Sequence, residues 1–193
     1  MSKNPNPQGK GLVPILQSLA NAQPRIRVPP KQIRRIASEL FTSLFVLGSE
    51  FKFQPVIGKS YWLYRVGDRF KLMLIAPCDW SCGYPGQLIG ECVLQEDVTW
   101  TLTLDAHAAE DRKLMALVSE QHRALQAALE SADTLEEALP AYNASMRYHS
   151  RVLAYGLVAS LKASMHGAGI ARLSYRDALS LIADRSDSKM SGE

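Results

Sequence analysis

The most constraining feature of this chain is a change of hydrophobic period. Between Ser60 and Leu104 apolar residues recur at about every second position, while before Gly48 and after Asp105 they recur at helical spacing. Ser60 to Val66 and Arg69 to Ala76 are β-favouring runs joined by Gly67-Asp68, a two-residue hairpin signal. A third run covers Gln87 to Leu94, after a loop from Pro77 to Gly86. In the fourth, Val98, Trp100, Leu102 and Leu104 alternate with Thr99, Thr101 and Thr103, which describes a half-buried strand with a threonine face. Connections this short predict an antiparallel meander, because parallel neighbours need crossovers of about a dozen residues or more.

The flanks read as helices. Ile33, Ile36, Ala37, Leu40, Phe41, Leu44 and Phe45 form one stripe over 32–48, with Gly48 offering a left-handed cap. Asp105 can cap a helix over 105–131, striped by Leu114, Leu117, Val118, Gln121, Leu125, Ala128 and Leu129. Thr134-Leu135-Glu136-Glu137 matches a capping box, predicting a helix over 134–166 that Pro140 kinks or resets. A short helix follows over 175–183. The expected fold class is therefore α+β: one helix, a four-stranded antiparallel meander, and a helical C-terminal half packed on one face of the sheet. One domain would span 31–184, between a Pro-rich arm over 1–30 and a disordered tail over 185–193.

Charge is distributed unevenly. Lys3, Lys10, Arg25, Arg27, Lys31, Arg34 and Arg35 stand in the first 35 residues with no acid among them, although the whole chain carries only +3. Such an arm either keeps the protein solvated or grips anions through Arg25, Arg27, Lys31, Arg34 and Arg35. No helix-turn-helix, zinc-finger or ribonucleoprotein aromatic motif supports sequence-specific reading of nucleic acid. Lys3, Lys10, Leu12 to Leu19 and Ala20-Asn21-Ala22 have the order of an export signal, but Pro14 and Gln17 interrupt its apolar run. The expected location is cytoplasmic.

Gly58, Tyr61, Leu63-Tyr64, Ile75-Ala76-Pro77, Asp79-Trp80, Gly90, Leu94, Asp97 and Thr99-Trp100 stand in a recognisable order. This pattern resembles the uncharacterised proteins grouped as the domain of unknown function 2452 family, over about a quarter of the chain. The resemblance implies a shared sheet and a shared Ile-x-Pro-acid-Trp corner, and brings no activity with it. Cys78 stands where such proteins usually carry a polar or charged residue, which argues against a family-wide metal or thiol role.

Two readings of the aromatic residues stay open. In one, Pro77 ends the second strand, Asp79 accepts loop N–H groups, and Trp80 folds back to cap the core. In the other, Tyr64, Trp80 and Trp100 line a pocket with Asp79 as its polar group.

Catalytic signatures are largely missing. Gly9-Lys10-Gly11 lacks the spacing of a phosphate loop, and there is neither a nucleophile elbow nor a dinucleotide fingerprint. His107, His122, His149 and His166 form no metal-binding pair, and Cys78, Cys82 and Cys92 lack the paired spacing of a structural zinc site. No cofactor and no metal are expected. Gly156, Ser160 and Ser164 recur every four residues beside Ala159 and Ala163, a small-residue face suited to close helix packing within the chain or to a homodimer. The resulting functional expectation is a non-enzymatic binding or adaptor domain with an unidentified protein partner. It would use Tyr64, Asp79, Trp80 and Trp100 with the Pro77 to Gly86 loop. The alternative is sequence-nonspecific association with nucleic acid through the basic arm.

Overall fold

A computed structural model describes residues 28–81, 83, 86–139 and 148–181. The arm over 1–27, Pro140 with the seven residues after it, and the tail beyond 181 lie outside the described residues. Helix α1 (Ile33–Leu47) forms where Ile33, Ile36, Leu40 and Leu47 share one face, and that face is buried. It closes at Gly48, whose N–H donates to the Leu44 carbonyl at 2.9 Å. Gly48 is right-handed at φ −71°, so the left-handed cap its sequence offers is not used.

Four strands follow: β1 (Ser60–Val66), β2 (Arg69–Met73), β3 (Gln87–Leu94) and β4 (Trp100–Leu104). They form a four-stranded antiparallel sheet, and the whole is α+β as the change of period requires. The Gly67-Asp68 turn joins β1 to β2, with Val66 opposite Arg69 and Gly67 left-handed at φ 62°.

The order of the strands is β2-β1-β3-β4, which differs from a simple meander. Strand β2 stops at Met73 instead of reaching Ala76, which frees the thirteen residues 74–86 for the next connection. That length suffices for a crossover. Met73 stands opposite Trp62 and Gln87 opposite Arg65, so the connection runs along β1 and emerges on its far side. A register shift between Leu63 and Tyr64 places Ile89 as the extra residue of a bulge in β3.

Alternation then sorts the side chains. Tyr61, Leu63, Leu72, Cys92, Leu94 and Trp100 face the helices and are buried in the core with α1. Trp62, Met73, Val93, Thr101 and Thr103 fall on the other face, where they are half-buried or exposed. Glycine is required at Gly90, where a Cβ would lie 2.1 Å from the Thr103 carbonyl oxygen of β4.

Helix α1 lies against β4, and the long helices of the C-terminal half pack mainly on α1. The single helix expected over 105–131 is two: α2 (Ala106–Glu110) and α3 (Arg112–Ser131). Asp111 breaks it by adopting extended backbone and accepting hydrogen bonds from the N–H groups of Lys113 and Leu114. Asp105 caps α2 as expected, accepting from the His107 N–H at 3.0 Å. Thr134 accepts from the Glu137 N–H at 3.3 Å, yet this cap starts only one turn, which falls short of the helix expected from Thr134. Helix α4 (Tyr148–Ala168) ends at Gly169, left-handed at φ 72°, and residues 175–181 are helical.

The small-residue face of α4 is occupied within the chain. A Cβ on Gly156 would lie 3.2 Å from Val98 Cγ1, and Ser164 donates to the Pro29 carbonyl at 2.9 Å. Gly156, Ser160 and Ser164 are all buried, and Ala163 beside them is exposed. No helix among the described residues is long and apolar enough to cross a membrane.

Candidate functional site

The crossover is what brings the aromatic corner together. Pro77 opens a 3-10 turn, Pro77–Asp79, rather than closing β2. Trp80 follows in extended backbone and returns onto β1, where its ring meets Tyr64 edge to face, with centroids 6.3 Å apart. Such a pair contributes about 0.5–1.5 kcal/mol beyond its buried area. The Trp80 Nε1–H donates to the Tyr64 hydroxyl at 3.3 Å, and that hydroxyl donates to the Ile75 carbonyl at 3.3 Å. Tyr64 is fully buried but stands outside the main core cluster. Trp80 thus folds back as one reading of the sequence expects, but what it caps is Tyr64 on the outer face, not the main core.

Beside this fixed pair the surface is apolar. Leu74 and Ile75, which the sequence pattern assigns to a strand, are 60% and 43% exposed. The signal for them was the unbroken run Met73-Leu74-Ile75-Ala76, in which alternation fails. Asp79 is exposed, and its carboxylate accepts from the Cys78 thiol at 3.7 Å; among the described residues no loop N–H donates to it. Cys82, Tyr84 and Pro85 lie outside the described residues.

Trp100 does not belong to this corner. It pairs with Leu94 on the inner face, is 1% exposed, and its ring lies edge to face with Tyr61 at 5.8 Å. Its backbone N–H donates to the Ser43 hydroxyl of α1 at 2.9 Å. A shared pocket of Tyr64, Trp80 and Trp100 is therefore ruled out by strand alternation, which sends Tyr64 and Trp100 to opposite faces. Tyr64 and Trp80 come together and Trp100 is core.

The predicted anion grip also divides. Lys31 is buried, and its ammonium pairs with Glu39 at 2.5 Å and with Asp97. Arg35 pairs with the same Glu39 at 2.8 Å, one turn along α1. These two cations are matched by carboxylates inside the chain and do not form a free phosphate grip. Arg25 and Arg27 lie outside the described residues, and Arg34 stands exposed over a separate cleft.

This ion cluster anchors the β3–β4 turn. Asp97 also accepts from the Thr99 hydroxyl at 2.6 Å and from its N–H at 3.2 Å. Burial alone would raise the Asp97 carboxyl, but Lys31 and Thr99 together hold it below the ordinary aspartate value. The next residue, Val98, is left-handed at φ 64°, a conformation that a β-branched side chain rarely adopts. The bonds of Asp97 on one side and Gly156 on the other hold it there. The spacing of Asp97, Thr99 and Trp100 is thus accounted for by a turn that ties the first described residues to the sheet.

Thiol chemistry finds little support. Cys92 is in the core, where burial, with the nearby Glu91 charge adding to it, pushes its thiol up to about 12. Among the described residues no group of three His, Cys, Asp or Glu side chains could hold a metal ion.

In comparison with known proteins, the chain matches no family model, no curated protein and no solved structure.

Proposed function

We propose that this protein is a non-enzymatic binding domain that docks a protein partner on the outer face of its sheet, at the corner of Leu74, Ile75 and Trp80. The observation that carries this reading is the adjacency of two strongly exposed apolar side chains to an indole held in place by Tyr64. Exposed apolar surface next to a rigid aromatic is the composition of an interface centre, where a few anchors supply most of the affinity. Asp79 stands exposed beside this apolar surface as a polar group at its edge.

The test is quantitative affinity capture with the full chain, its Leu74→Asp variant and a Thr103→Asp control on the same face. Thermal unfolding of each is measured alongside. Leu74→Asp is exposed and should leave stability within about 0.5 kcal/mol of the parent, whereas Thr103→Asp sets a second carboxylate opposite Glu91 and should cost up to about 1 kcal/mol. The expected result is a defined partner retained by the parent and by Thr103→Asp and lost by Leu74→Asp. Equal capture by all three would reject the corner as the docking surface. Retention that falls steeply with salt and disappears when residues 1–27 are removed would move the function to the basic arm.

A further inference from the structure

A second candidate site lies in the helical half and shares no residue with the sheet corner. A cleft of about 300 Å³ opens between α1, α3 and the helical residues 175–181. Leu125 and Leu129 line it one turn apart on α3, and Leu179 lines it from the last helix. Leu129 is 3% exposed and forms part of the core, so the cleft has an apolar floor. Arg34 stands at its rim on α1, exposed, and pairs with no carboxylate among the described residues. It differs in this from Lys31 and Arg35, both of which are matched.

The dimensions follow from α1. His122 also lines the cleft, and its ring meets Phe41 edge to face at 4.9 Å. Phe41 is seven residues beyond Arg34, which is about 10 Å along a helix at 1.5 Å per residue. The cleft therefore offers a cation near one end, an aliphatic floor, and an imidazole about two helical turns away. A guanidinium without a carboxylate partner among the described residues, beside a leucine floor and with Ser38, Gln126 and Tyr175 completing the lining, suits an anionic head on a short aliphatic chain.

We propose that this cleft binds a medium-chain aliphatic carboxylate, with the carboxylate on Arg34 and the chain along Leu125, Leu129 and Leu179. The head makes a charge-assisted pair that Arg34 does not make within the chain. The tail covers apolar surface that the three helices leave open.

The experiment is an amide-resolved NMR titration of the full chain with octanoate, with acetate and octanol as controls, repeated on Arg34→Gln. Arg34 is exposed, so the substitution should leave the fold intact, and the unliganded spectrum verifies this. Octanoate should produce saturable shifts on α1, α3 and residues 175–179, with a Kd below about 1 mM. Acetate lacks the tail and should not bind, and octanol lacks the charge and should bind about tenfold more weakly. Arg34→Gln should weaken octanoate about tenfold and leave octanol unchanged. Equal binding of octanoate and octanol, no effect of Arg34→Gln, shifts elsewhere in the molecule, or no saturable shift at all would each overturn the proposal. Failure here would leave the sheet-corner reading untouched, because the two sites and their readouts are separate.

Discussion

Tyr61 and Tyr64 stand three residues apart on β1 and are equally buried, yet they are buried by different means. Tyr61 faces the helices, stacks on Phe53 at 5.2 Å, meets Trp100 edge to face, and accepts the Val56 N–H at 2.7 Å. Tyr64 faces the other way and is covered by a loop that crosses the strand, with Trp80 as the closing ring. The first is held by the main core of the domain. The second depends on a local cover in which the Trp80 indole and the Ile75 carbonyl take part. A surface built by a loop on a finished sheet can carry recognition without being needed for the fold, and this distinguishes the two faces.

The contrast can be broken most severely from the inner side. Gly90→Ala would place a Cβ 2.1 Å from the Thr103 carbonyl and force β3 and β4 apart, so we expect a loss of about 4 kcal/mol or failure to fold, read by chemical denaturation. Lys31→Ala should come next, at about 3 kcal/mol, because it leaves Glu39 and Asp97 facing each other without their cation. The same cluster gives a pH dependence. The Asp97 carboxyl is held below its unfolded value, so its contribution is present above about pH 4 and is lost as pH falls through the folded value. Unfolding midpoints measured from pH 6 down to pH 3 should fall, and the fall should be shallower in Asp97→Asn. The outer face should respond least. Tyr64→Phe removes the hydroxyl that bridges Trp80 and Ile75 and should cost about 1 kcal/mol in the same assay.

Much of this architecture was legible in the sequence. The change from helical to strand period located α1 and all four strands, and Gly67-Asp68 set the β1–β2 turn. Strand order was not legible, because it hinged on where β2 ends. Reading β2 to Ala76 made the following connection too short to cross β1, while the actual end at Met73 makes it long enough. The apolar stripe over 105–131 conceals the break at Asp111, where a side chain able to cap a new helix outweighs it. At the site, the pocket reading groups Tyr64 with Trp80 but also with Trp100, and excluding Trp100 requires knowing which face each strand residue takes. The pairing of Lys31 is hidden in the sequence because Glu39 and Asp97 come later in the chain and meet it only in the fold.

The two faces of the sheet differ in how much of the fold rests on them, and two tryptophans measure that difference. Equilibrium unfolding of Trp100→Ala and Trp80→Ala, compared with the parent chain, reads the difference. We predict a loss of about 3–5 kcal/mol for Trp100→Ala, which empties the core between α1 and the sheet. We predict about 1 kcal/mol for Trp80→Ala, with cooperativity unchanged. Equal losses for the two would contradict the account and make the outer corner a second core.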